Sequence, residues 1–184
     1  MKLRIISGSL KGRMIAVPEK DTGFRPTRER IRESVASILS DRFRDSVVAD
    51  FCAGSGAFGF EALSRGARRV IFIEADRNRC RLIREHAGRF GVEQQCSIKN
   101  DTIATYLKDV RDRFDIIYFD PPYDIERPED LLEPMLCLLT INGSIVYERR
   151  SNSVLPFSGP LADALVDSRT YGETEICIFR TTKR

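Results

Sequence analysis

The chain has 184 residues, 42% of them hydrophobic and 31% charged, with a formal net charge of +3: enough apolar material for one core, too short for two ordinary domains. No stretch approaches the roughly 18–20 apolar residues of a membrane span, and the first residues lack the apolar core of a secretory signal. Five dispersed cysteines and one histidine, without any C-x-x-C, exclude a clustered metal site and predict a cytoplasmic protein with reduced thiols.

Charge is divided unevenly. Residues 1–44 hold eleven Lys or Arg against five acids, a net of +6, whereas residues 45–184 hold nineteen against twenty-two, a net of −3. The first segment reads as a basic extension suited to phosphate contacts, although a merely solvated face satisfies the same composition. In it, Arg4-Ile5-Ile6-Ser7 and Arg13-Met14-Ile15-Ala16-Val17, separated by Gly8, Lys11 and Gly12, predict a β-hairpin. Thr27, after Pro26, predicts the N-cap of a helix whose apolar face is Ile31, Val35, Ile38 and Leu39, with Arg28, Arg30 and Arg32 largely off it.

Strands are then expected at 47–51, 70–74, about 96–99, 115–119 and 144–148, with helical stretches between them. Asp76 caps and Gly91 stops a helix over 77–90, and another is expected over about 129–139. His86, among Arg81, Arg84, Glu85 and Arg89, is expected at a solvated position. The alternation implies an α/β fold with a parallel sheet and helices on both faces. At the end, 164–170 and 175–180, joined by Tyr171-Gly172-Glu173-Thr174, predict a hairpin. Residues 1–44 thus form an extension and 45–184 the enzyme domain.

The strand Val47–Phe51 runs into Gly54-x-Gly56-x-x-Gly59, and Glu74 lies twenty residues beyond Gly54. Alone, this fingerprint fits a NAD-dependent oxidoreductase as well as an enzyme that uses S-adenosylmethionine. Asp50 favours the second. A pyrophosphate dianion seeks backbone amides and a helix N-terminus with no carboxylate close by. S-adenosylmethionine has no phosphate but carries an ammonium and a sulfonium that an acid can face. Glu74, ending its strand, is placed to accept from ribose hydroxyls.

The most informative residues are Asp120-Pro121-Pro122-Tyr123, which follow the apolar run Phe114–Phe119. Two prolines cannot continue a strand ladder, so an acid, a rigid backbone and an aromatic ring are fixed at a strand's carboxyl end, where open α/β sheets bind ligands. The tetrapeptide resembles the DPPY motif of enzymes that methylate exocyclic amines of nucleic-acid bases. Such an amine is flat, with its lone pair delocalised into the ring. Acceptors for its two hydrogens, a carboxylate and a proline carbonyl, favour pyramidal geometry, and an aromatic face holds an extruded base.

Taken together, the chain resembles the bacterial RsmD family, which methylates the N2 amine of a guanine in 16S ribosomal RNA. The resemblance rests on Arg4-Ile5-Ile6-Ser7-Gly8 with Lys11-Gly12-Arg13, on Arg25-Pro26-Thr27 with Arg30 and Arg32-Glu33, and on Asp50 to Ala57. It continues through Glu61 to Ala67, Phe119 to Tyr123, and Tyr171-Gly172. Phe58 and Phe60 stand where the family commonly has leucine and read as packing variants. The resemblance implies a Rossmann-like methyltransferase fold with a seven-stranded sheet and an antiparallel last strand.

It further implies S-adenosylmethionine as methyl donor and no metal. Asp50, Ala53, Gly54, Ser55, Gly56, Glu74, Asp101 and Thr102 would hold the donor, and Asp120, Pro121, Pro122 and Tyr123 the target amine. Arg4, Lys11, Arg13, Arg25, Arg28, Tyr123 and Tyr171 would contact 16S rRNA, expected in a small-subunit ribosomal particle, with no membrane and no obligate protein partner. The alternatives are an adenine-N6 DNA methyltransferase, for which 184 residues leave no room for a target-recognition domain, and the NAD-dependent oxidoreductase.

Overall fold

The computed structural model describes residues 2–17, 26–122, 125, 127–151 and 157–181. In chain order the elements are β1 (Lys2–Arg4), β2 (Met14–Ala16), α1 (Pro26–Ile38), β3 (Val47–Phe51), α2 (Ala57–Ser64), β4 (Arg69–Glu74) and α3 (Arg77–Phe90). They continue with β5 (Cys96–Asn100), α4 (Ile103–Asp109), β6 (Phe114–Phe119), α5 (Leu132–Leu136), β7 (Leu139–Arg150), α6 (Pro160–Ala164), β8 (Leu165–Tyr171) and β9 (Thr174–Arg180). The expected hairpin of the extension is present, pairing Lys2 with Ala16.

The other seven strands form one sheet in the order β5-β4-β3-β6-β7-β9-β8. From β5 to β7 neighbours are parallel, and β9 runs antiparallel between β7 and β8. The expected antiparallel finish is therefore present, with the last strand inserted inside the sheet's edge. Strands buried on both faces need apolar residues at every position. Val48, Val70, Phe72 and Ile116 face one layer, and Ala49, Ile71, Ile73 and Ile117 the other. The helix expected over 129–139 is shorter than its apolar pattern suggested, because Leu139 already pairs with Phe114 at the start of β7.

The extension shares the core of the larger unit. Ile31, Val35 and Leu39 are buried with Val48, Phe58 and Val70, and each such side chain contributes roughly 1.5–3 kcal/mol by burial. The loop after β1 is pinned to α2. The amides of Ile6 and Ser7 donate to the buried Glu61 carboxylate at 2.8 and 3.2 Å, and the Ser9 amide donates to the Ser64 carbonyl at 2.8 Å. The approach is so close that a Cβ on Gly8 would lie 1.7 Å from that carbonyl oxygen.

Two expectations fail where the extension docks. Arg32 is buried instead of lying off the packed face of α1, and its Nη2 donates to the Arg4 carbonyl at 2.9 Å. His86 is buried instead of solvated, because β2 covers that part of α3: the Ala16 amide donates to His86 Nε2 at 3.0 Å. Among the described residues no helix is long and apolar enough to cross a membrane.

Candidate active site

The topology brings the two informative motifs side by side. Sheet order reverses direction between β3 and β6, which is where ligand crevices open in doubly wound sheets. Asp50 pairs with Tyr118 and Phe51 with Phe119, so the glycine turn after β3 and Asp120 after β6 leave the same edge together. A cavity of about 760 Å³ opens there.

The turn itself is tightly made. Cys52, Gly54 and Gly56 all take left-handed φ angles, of 60°, 56° and 76°. A Cβ on Gly56 would come within 3.2 Å of Phe60, Phe72 and Ile83, so this position accepts only glycine without repacking. Glu74, at the end of β4, holds the turn through Oε2, which accepts from the Gly54 amide at 2.7 Å. Its Oε1 accepts from the Asp76 amide at 2.9 Å. Asp76 caps α3 as its spacing predicted, accepting from Asn78 and Arg79 amides.

Asp50 is buried and accepts from the Gly59 amide, in the first turn of α2, at 2.9 Å. Burial pushes its carboxyl well above the usual carboxylate range; the Gly59 amide opposes this, while Asp120 and Glu74 add to it. The helix N-terminus that a pyrophosphate would need is thus already occupied by a carboxylate. Cys52, also on the cavity wall, has its thiol pushed up to about 12 by burial and by Glu74, Asp120 and Asp50, so it is not a thiolate nucleophile.

Among the described residues, Asp50, Glu74, Asp76, Asp101, Asp120 and Glu148 line the cavity, against the cations Arg32 and Arg79. Such a wall attracts a cationic ligand. Ala53, Gly54, Ser55, Thr102, Pro121 and Pro122 line it as well, and Gly56 sits behind them as the N-cap of α2. Thr102 caps α4, its hydroxyl accepting from the Thr105 amide at 3.2 Å, and its own amide donates to Asp101.

Of the residues expected to contact a nucleic acid, the four whose side chains are described, Arg4, Lys11, Arg13 and Tyr171, are absent from the cavity wall. Arg4, Lys11 and Arg13 are exposed on the β1–β2 hairpin. Tyr171 is half-buried at the end of β8, where its hydroxyl hydrogen-bonds with Ser34 of α1; it packs against the core and is absent from the described cavity wall. Arg25 and Tyr123 lie outside the described residues, as does the side chain of Arg28. Four lining residues were given no site role by the sequence: Arg32, Phe58, Tyr118 and Glu148. Phe58, expected to be mere packing, stacks on Tyr118 with ring centroids 3.9 Å apart and planes 10° apart.

Comparison with known proteins agrees with this architecture. The family model described as conserved hypothetical protein 95 matches residues 3–180. Ribosomal RNA small subunit methyltransferase D of Haemophilus influenzae is 32% identical over 139 residues, covering 74% of this chain and 71% of that protein. The solved structure of Escherichia coli yhhF superposes with a TM-score of 0.86 at 26% identity, covering all of both chains. An RNA methyltransferase from Salinibacter ruber, solved with S-adenosyl-L-homocysteine, shares the fold at 13% identity, with a TM-score of 0.65 over 85% of this chain and 93% of that one.

Proposed function

This chain belongs to the RsmD family and has a Rossmann-like methyltransferase fold, and on that footing we propose that it transfers a methyl group from S-adenosylmethionine to the N2 amine of a guanine in 16S rRNA of the small subunit. The carrying observation is that Asp50 and Asp120 leave neighbouring strands at one edge of an acidic cavity whose helix N-terminus is closed to phosphate. That wall suits a sulfonium and an ammonium and disfavours NAD.

In this reading Asp50 faces the methionine end of the donor, Glu74 accepts from the ribose, and Asp101 with Thr102 meets the adenine. Bound S-adenosylmethionine supplies an electrophilic methyl group. Asp120 and the Pro121 carbonyl accept the two amine hydrogens and aim the nitrogen lone pair, and Tyr123 offers the stacking face for the extruded base. The nitrogen forms its bond to the methyl carbon as the carbon–sulfur bond breaks, and the amine proton leaves to Asp120 or to water. Positioning of this kind supplies roughly 7–11 kcal/mol of a barrier. The exposed hairpin cations Arg4, Lys11 and Arg13, together with Arg25 and Arg28, bind phosphates, and a protein-bound ribosomal particle is the substrate form.

The test is methylation of small-subunit RNA and of plasmid DNA, with nucleoside mass spectrometry of the products. N2-methylguanosine from the wild type is expected, with Asp120→Ala slower by at least a hundredfold at nearly unchanged cofactor affinity. N6-methyl-2′-deoxyadenosine from the plasmid as the sole product, or near-normal turnover in the variant, would refute it.

A further inference from the structure

Beyond Asp120, the cavity wall includes two charged residues to which the sequence motifs assign no role, Glu148 and Arg32. β7 pairs with β6 in the register Phe119↔Tyr147, so Glu148 comes next along its strand at the edge where Asp120 follows β6. Glu148 lines the cavity at 7% exposure. One of its carboxylate oxygens accepts from the Tyr118 hydroxyl, and a carboxylate has acceptor sites for more than one donor. Arg32, reaching in from α1, lines the same cavity at 5% exposure. Its Nη2 is held by the Arg4 carbonyl and the Glu29 carboxylate is 4.0 Å away, which fixes the guanidinium in place. A guanidinium carries five N–H donors in a planar fork, so the bond to Arg4 leaves others for a ligand in the cavity.

Two adjacent carboxylates and a guanidinium complement one purine. Guanine presents N2–H and N1–H donors on neighbouring atoms, followed by the O6 acceptor. Adenine presents a bare N1, whose lone pair would face a carboxylate, and an amine where guanine has O6. We propose that Glu148 and Arg32 select the base, Glu148 accepting from guanine N1–H beside Asp120 at N2, and Arg32 donating to O6. The inference rests on the guanine-N2 reading above and adds to it the residues that read the rest of the base. It also gives the extension a second role, since α1 carries Arg32.

The discriminating substrate is RNA with 2,6-diaminopurine riboside at the methylated position. That base keeps the N2 amine but replaces N1–H with a bare nitrogen and O6 with an amine. Wild type should prefer guanine by at least a hundredfold in kcat/KM, because sites built around hydrogen bonds reject mismatched partners strongly. Glu148→Gln retains an acceptor for Tyr118 and gains an N–H that can donate to the bare N1. It should lower the preference at least tenfold, by losing guanine activity and gaining diaminopurine activity. Arg32→Gln should lower it as well; should that variant unfold, the ratio in Glu148→Gln alone is decisive. A merely structural role slows both substrates equally, so an unchanged ratio in Glu148→Gln overturns the proposal. Absence of N2-methylguanosine from the wild type would instead remove the reading beneath it.

Discussion

The Gly54 amide donates to Glu74 Oε2 at 2.7 Å, while the other oxygen of the same carboxylate takes the Asp76 amide. One side chain therefore ties the cofactor-side glycine turn to the start of α3 before any ligand arrives. Glu74→Ala should weaken S-adenosylhomocysteine binding and also destabilise the unliganded protein. Losing charge-assisted bonds of this kind costs roughly 1.5–3 kcal/mol, a fall of several degrees in melting temperature. An unliganded melting temperature equal to wild type would show that the turn holds itself.

Asp50 should display a conflict between stability and binding. Its carboxyl is raised above the usual range by burial, with Asp120 and Glu74 adding to the effect. A raised acid favours the folded state at low pH, and this contribution is lost as pH rises through the folded-state value. Asp50→Asn keeps an acceptor for the Gly59 amide and removes the charge. It should raise the ligand-free melting temperature more at pH 8 than at pH 5, and weaken cofactor binding at least tenfold. Calorimetric melts at both pH values, with cofactor titrations beside them, check both halves.

His86 gives the opposite sign. Burial, reinforced by Arg89 and opposed by Glu85, lowers its pKa from the ordinary 6.5 to about 4. The folded state therefore binds fewer protons there than the unfolded chain, so stability should fall as pH drops from about 6.5 towards 4, by roughly 2 kcal/mol or more. Protonation also abolishes the Nε2 lone pair that accepts from Ala16. His86→Gln should flatten this part of the profile in urea titrations; an identical slope would assign the acid sensitivity elsewhere.

The exposed hairpin offers a separable prediction. Replacing Arg4, Lys11 and Arg13 by serine removes no buried side chain, so folding and cofactor affinity should match wild type. RNA affinity should fall and its dependence on salt should become shallower, by about one phosphate contact per removed charge. Equal salt slopes for variant and wild type would mean that these cations only solvate the surface.

The parts of the site that were legible in the sequence are those whose geometry is local. Asp120 is fixed by two prolines, Gly56 by its turn, and the Asp76 cap by the spacing to α3, so each carries its structural reason within a few residues. Arg32, Glu148 and Tyr118 carry none. Their meaning comes from the β6–β7 register, which brings together Tyr118 and Glu148 from 30 residues apart, and from the docking of α1, which brings Arg32 to a wall shared with Tyr118, 86 residues further on. His86 departs from its local pattern for the same reason: its charged neighbours on α3 describe a helix in water, and the hairpin that covers it lies 70 residues earlier, at Ala16. The strand–helix alternation predicted the parallel sheet, but pairing order is not a periodicity, and nothing in the spacing showed β9 inserting between β7 and β8.

That insertion dictates an order of assembly. β8 is made before β9 yet touches the sheet only through it, since its sole ladder among the described residues is the one to β9. β8 must therefore wait, either zipped to β9 through the Tyr171–Thr174 turn or unpaired until β9 has joined β7. Local pairing across so short a turn is fast compared with closing a long loop, so the two strands should arrive as a preformed unit. The reverse process begins at the same place. In native-state hydrogen exchange the amides of β8 should open at lower free energy than those of β9, and strand loss at this edge would loosen the Tyr171–Ser34 tie to α1 before the central strands respond.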